Sequence, residues 1–244
     1  MKIKFLPIAK MVCVTCIVVL SIILINSSVK VSPRFSIIIS NSSWILPTLV
    51  HIPQFLLPFL LILYLSKGRL EQYGFNLNES PPIFTRKRML QIGLISGLLL
   101  SLKYIPQMIS SRSLEIPQPV TQGNILGSLA FQWVVVGLCE ETMFRGLIQT
   151  YLMDNLQGHV DIFGHDFHIG TAIGAVIWGV FHLINILVMP WGSTLLTVIL
   201  TTVTGLFMGY AYQETRSLYT TIIVHNTLFG IPLSIGYIIY FLVY

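Results

Sequence analysis

Seven times along this chain, largely apolar residues continue for about the 20 positions that an α-helix needs to cross a hydrocarbon core. The runs are Met11 to Ile25, Ser43 to Ser66, Met89 to Met108, Ile125 to Met153, Ile169 to Val188, Ser193 to Gln213, and Tyr219 to Tyr244. Gly230 and Pro232 interrupt the last run and predict two shorter pieces, so seven to eight membrane helices are expected. A bilayer core offers no water to backbone N–H and C=O groups, and runs of this length satisfy them as helices. The expected fold is therefore all-α: one polytopic transmembrane helical bundle, a single integral membrane domain over residues 1–244. Composition agrees, with 9% charged and 54% hydrophobic residues against the roughly 25% charge of soluble domains. It also excludes a disordered chain, which has too little apolar surface to bury.

The sparse charges orient the chain. Lys2, Lys4 and Lys10 precede the first run, and Lys67, Arg69, Arg86, Lys87 and Arg88 make the second polar loop the most basic. Basic loops stay in the cytoplasm, so a multi-pass protein of the cell membrane with a cytoplasmic N-terminus is expected, its fourth run passing from outside to inside. The net charge of +5 is dispersed over loops without a basic helix, which excludes a nucleic-acid partner; the partners implied are the lipid bilayer and a peptide or protein. Cys13, Cys16 and Cys139 lie in or beside apolar runs and read as small buried hydrophobes. The His- and Asp-containing stretch from Asp154 to His168 reads as a solvated loop. Pro47, Pro53 and Pro58 predict kinks in the second run, and His51 among them reads as a hydrogen-bonded interior residue.

All but three of the charged residues fall in polar stretches; the three are Glu140, Glu141 and Arg145. A charge at the bilayer centre costs at least about 2.5 kcal/mol, so three within six residues require a reason. On a helix Glu141 and Arg145 stand one turn apart and can neutralise each other. Glu140 points about 100° away around the axis and stays free to face something else. A carboxylate held in an apolar cavity is a serviceable proton acceptor.

Two histidines extend the pattern. His182 follows Trp178 by one turn, with Asn185 on nearly the same face, and His225 has Thr221 one turn before it and Asn226 beside it. Three separate apolar runs each carrying an acid–base group fit the way bundles build sites from facing helices. Rise arithmetic agrees for Glu140 and His225 but sets His182 about 20 Å from an inner start at Ile169, too far out to meet Glu140.

Glu140-Glu141-x-x-x-Arg145 with Gly146, then Trp178-x-x-x-His182, then His225, resembles the CPBP intramembrane protease family. That family takes in type II CAAX prenyl endopeptidases and the Abi-type bacteriocin-processing and self-immunity proteins. The resemblance covers about residues 125–231, the expected catalytic core. It implies that Glu140 activates water, that His182 helps hold and polarise it, and that Glu141 and Arg145 shape the site. It also implies that His225 contributes to an oxyanion hole, that no metal or other cofactor is needed, and that the cavity is reached from the cytosolic side.

Two positions depart from the family pattern. Trp178 stands where Phe is usual and keeps an aromatic wall. Phe229 stands where Asn or Asp usually follows the third-motif histidine, so oxyanion support falls to Asn226, provided the helix unwinds near Gly230, or to Asn185. Two alternatives stay open: a zinc-dependent intramembrane protease with Glu140, His182 and His225 as ligands, although the chain has no HExxH, and a non-enzymatic immunity or signalling protein of the same fold.

Overall fold

A computed structural model describes residues 5–77, 81–109 and 114–243. In chain order its helices are α1 (Phe5–Val31), α2 (Pro33–Asn41), α3 (Ile45–Ser66), α4 (Arg86–Ser101), α5 (Tyr104–Ile109), α6 (Gln122–Ala130), α7 (Val136–Glu141), α8 (Thr150–Asn155), α9 (Ile169–Phe181), α10 (Trp191–Thr215) and α11 (Leu218–Val243). Seven helical stretches among the described residues are long and apolar enough to span a membrane: Phe5–Val29, Ile45–Ser66, Arg86–Ile109, Gln122–Asn155, Ile169–Leu187, Trp191–Thr215 and Leu218–Val243. Exposed Leu56, Leu98, Leu99, Ile199 and Val203 give the bundle an apolar outer belt that only lipid can cover without cost.

The fold corrects three expectations. The seventh run does not divide: α11 passes unbroken through Gly230 and Pro232. Gly230 leaves room for the Trp133 indole, which a Cβ would meet at 2.5 Å, and Ser234 Oγ donates to the Gly230 carbonyl while accepting from Trp133 Nε1. Ser234 thus links the Trp133 indole to the α11 backbone beside the proline. The polar stretch after α8 is not wholly irregular: strand β1 (His159–Ile162) pairs antiparallel with β2 (His165–His168). The fifth run is α-helical only to Phe181 and continues as a 3₁₀ turn from His182 to Leu187.

The stretch Gln122–Asn155 is the central helix. It contains two π-helical segments, Phe131–Val135 and Thr142–Gln149, flanking α7; π-turns re-aim side chains and recur at functional sites. Helices α3, α9 and α11 all pack against it. Its inner half buries Met143, Phe144, Leu147, Ile148 and Leu152 in one cluster with Trp178, Phe181, Met208 and Val224. Close helix approaches set these positions. In α4, Gly93 and Gly97 form a Gly-x-x-x-Gly stripe on which Thr227 and Ile231 of α11 lie. Gly205 of α10 admits the Trp178 ring, which a Cβ would meet at 2.8 Å.

Hydrogen bonds tie the loops at each end. At one end the Leu218 N–H donates to Gly74 O, Asn76 Nδ2 to Arg216 O and Ser217 Oγ to Asn76 O. At the other, Asn124 Nδ2 donates to Asn41 O and Pro119 O while Asn124 Oδ1 accepts from the Ser43 N–H.

Candidate active site

Glu140 and Glu141 leave the central helix in different directions, as their 100° offset requires. Glu141 is fully buried and Arg145 is 2% exposed. Arg145 Nη1 donates to Glu141 Oε1 at 3.2 Å, and the guanidinium lies 4.1 Å over the Trp178 ring. The same Oε1 accepts from His225 Nδ1 at 2.8 Å. One carboxylate oxygen therefore joins the central helix to α11, while Arg145 joins it to α9 through the indole. Buried ions of this kind persist only when paired and hydrogen-bonded.

Glu140 is 8% exposed. Its Oε2 accepts from Trp178 Nε1 at 2.9 Å, and its Oε1 stands 3.7 Å from His51 Nε2. His182 and His225 lie within electrostatic range of the same carboxylate. The Trp178 ring is 5.8 Å from the His182 ring and 6.0 Å from the His225 ring, so the indole is the hub on which the two later motifs meet the first.

Each imidazole is held through Nδ1. His51 Nδ1 donates to Pro47 O at 2.7 Å, His182 Nδ1 to Trp178 O at 2.9 Å, and His225 Nδ1 to Glu141. Carbonyls and carboxylates only accept, so in each neutral ring the proton sits on Nδ1 and Nε2 carries a lone pair. His51 Nε2 is buried without a hydrogen-bond partner.

The rise mismatch predicted for His182 does not arise. Gly170 abuts the central helix so closely that a Cβ there would stand 2.7 Å from Met153 N. Measured from that crossing, Glu140 is about 20 Å along one helix and His182 about 18 Å along the other. The central helix extends to Asn155, deeper than a count from Ile125 assumed. Of the two asparagines expected to support an oxyanion, Asn226 faces α7: its Oδ1 accepts from the Gly137 N–H at 3.0 Å. Because α11 does not unwind near Gly230, Asn226 stays on a different face from His225, with only its amide N–H2 left to donate. Asn185 closes the turn after His182 by accepting from the Val188 and Met189 N–H groups, and among the described residues no hydrogen bond joins its side chain to the Glu140 cluster.

Sequence reasoning placed His51 outside the site and treated Trp178 as a wall. The only signal for His51 was its being a lone histidine within the second apolar run; the signal for Trp178 was an indole N–H that must find an acceptor when buried. Among the described residues no three of His, Cys, Asp and Glu are grouped so as to hold a metal ion.

No curated protein and no solved structure matches the chain. A family match does exist: the family described as type II CAAX prenyl endopeptidase Rce1-like matches residues 122–228. That stretch contains Glu140, Glu141, Arg145, Trp178, His182 and His225 and stops just short of Phe229, and His51 lies outside it. The part of this membrane protein that assembles the buried carboxylate cluster, less than half of the chain, is thus similar to the Rce1-like, type II CAAX prenyl endopeptidase family.

Proposed function

We propose that the chain is an intramembrane endopeptidase that hydrolyses a peptide bond in a membrane-associated or leader-type peptide, with Glu140 as the base that activates water. The observation that carries this reading is the placing of the Glu140 carboxylate: one oxygen is fixed by the Trp178 N–H and the other faces His51 Nε2, which in the neutral ring offers a lone pair. Two acceptors 3.7 Å apart suit one water molecule that donates a proton to each.

Glu140 Oε1 takes a proton from that water as its oxygen bonds to the scissile carbonyl carbon. The C=O electron pair moves onto oxygen. The C–N bond then breaks, and the proton on Glu140 passes to the departing nitrogen, giving a carboxylic acid and an amine. His182, within electrostatic range of the same carboxylate, helps to position the reacting groups beside it. The developing oxyanion is stabilised by donors aimed at it, here the Asn226 amide, with His225 contributing when its Nε2 bears a proton. Glu141 and Arg145 hold His225 and Trp178 in register. The catalytic set is thus Glu140 and His182, with Glu141, Arg145 and His225 supporting.

Glu140→Gln and His182→Ala are each expected to abolish peptide cleavage while the protein still inserts and accumulates. Wild-type rates from purified Glu140→Gln would overturn the assignment. A second reading, a non-enzymatic immunity or signalling protein of the same fold, is favoured by Phe229 and by the engagement of Asn226 with Gly137; preservation of a cellular phenotype in Glu140→Gln would select it.

A further inference from the structure

The hairpin between α8 and α9 breaks the rules of its own turn. Strands β1 and β2 pair Ile162 with His165, which leaves Phe163 and Gly164 as the turn residues. Both have positive φ, 55° and 76°, a geometry that Asn-Gly serves best in a solvated hairpin. Here an aromatic residue takes the first position, in a backbone conformation that bulky side chains rarely adopt, and it is 97% exposed. A local rule broken in this way, to hold out an apolar ring, points to something that covers the ring.

The hairpin folds back along the bundle and does not project from it. At its base His168 lies within electrostatic range of Arg216 and Asp154, and the His168 N–H donates to Gln213 Oε1 at 2.9 Å. Toward the tip, Phe167 and His165 pack on Tyr210, with ring centres 4.7 and 5.4 Å apart. From His168 to His165 an extended strand covers about 10 Å, and from Arg216 to Tyr210 a helix covers about 9 Å, so β2 and the end of α10 run side by side. Tyr210 stands about 7.5 Å inside the end of the span Trp191–Thr215. Helical side chains lean toward the N-terminus, which in α10 is deeper into the span. Phe163, beyond His165, is carried to that depth or past it. One turn further along α10, Phe207 is itself exposed within the span.

A second loop reaches the same level. Phe84, in the short turn Pro82–Phe84 before α4, packs edge-on against the Tyr210 ring at 5.7 Å, and its neighbour Ile83 is exposed. Two loops far apart in sequence thus each hold an exposed apolar side chain near the end of one span. The face of the hairpin turned away from Tyr210 carries His159, Asp161, Asp166 and His168. So few apolar side chains cannot supply the roughly 800 Å² per partner of a stable protein interface. They suit the headgroup–acyl boundary, where the apolar side of an otherwise polar element settles.

We propose that the hairpin is a membrane-interface anchor whose partner is the lipid surface at this end of the bundle: Phe163 inserts at the headgroup–acyl boundary while the Asp161 and Asp166 face stays in water. His168 both ends β2 and caps α9 through the Gly170 N–H, so the anchor fixes the start of the helix that carries Trp178 and His182. None of this depends on the reading of Glu140 as hydrolytic base.

Phe163→Cys and Asp161→Cys, each in a Cys13→Ser, Cys16→Ser, Cys139→Ala background of the full chain, are reconstituted in phosphatidylcholine vesicles and labelled with a nitrobenzoxadiazole dye. Quenching is read with iodide on both sides of the membrane and, separately, with phosphatidylcholine bearing a nitroxide at the top of its acyl chain. The expected result at position 163 is blue-shifted emission, quenching by the nitroxide lipid, and an iodide quenching constant several-fold below that at position 161. Equal iodide quenching at the two positions would place the tip in water and overturn the proposal. Shielding of position 163 from both quenchers would overturn it as well, because protein and not lipid would then cover the ring. The unlabelled thiols give a check free of the dye: a charged methanethiosulfonate is expected to react several-fold more slowly at position 163 than at 161, and equal rates sink the anchor whatever the dye shows.

Discussion

The indole N–H of Trp178 donates to Glu140 Oε2 at 2.9 Å across 38 residues of sequence. The same ring carries Arg145 on its face, so one side chain orients the proposed base and covers the buried cation beside it. The donor exists only because this position is Trp and not Phe.

Trp178→Phe keeps the aromatic wall and deletes the donor. A hydrogen bond to a charged group contributes about 1.5–3 kcal/mol, so kcat/KM is expected to fall about ten- to a hundredfold while the protein accumulates normally. Steady-state cleavage of a fluorogenic peptide checks this; an unchanged kcat/KM would show that Glu140 needs no such anchor.

His51→Ala removes an imidazole that stands 3.7 Å from Glu140 Oε1 and lies outside the family-matched stretch. If His51 shares the water with Glu140, the rate is expected to fall by about a hundredfold or more, the usual worth of a positioned acid–base group. Its half-buried ring also packs on Phe131, so thermal unfolding is measured alongside: a large loss of Tm with no specific loss of rate would assign His51 to packing.

Arg145→Met leaves the fully buried Glu141 with His225 as its one ionic partner among the described residues. Breaking a buried pair by removing one partner costs about 3–5 kcal/mol. The double variant Glu141→Gln, Arg145→Met removes both charges and is expected to be more stable than Arg145→Met alone. Unfolding of the wild type, the two single variants Glu141→Gln and Arg145→Met, and the double variant in detergent gives the coupling energy directly; additive effects would mean that the two side chains do not support each other.

His168 gives the loop end a pH dependence. Its Nδ1 caps α9 by accepting from the Gly170 N–H at 2.9 Å, and its pKa is lowered, first by burial and then by His159 and Arg216. The folded protein therefore favours neutral His168, and the unfolded chain binds the proton more readily. Stability from this cap is complete above about pH 6.5 and is lost as pH falls through that value toward the folded pKa. His168→Asn retains an N-capping acceptor that does not titrate in this range, so its Tm is expected to vary less with pH between about 5 and 6.5 than that of the wild type. Equal slopes would sink the cap as the cause.

The sequence by itself determined the membrane spans, because apolar run length is a local property that the bilayer reads directly. It determined the Glu141–Arg145 pair for the same reason: i,i+4 neighbours meet on any helix. It also located the helices bearing His182 and His225, since polar groups in apolar runs stand out one at a time. The tertiary structure alone decided what those groups face. The Trp178–Glu140 bond, the approach of His51 and the engagement of Asn226 with Gly137 all depend on which face each helix turns toward its neighbours. That choice is made by packing among distant segments, through close approaches such as Gly205 on Trp178 and Gly93 on Thr227, and no periodicity within a single run records it.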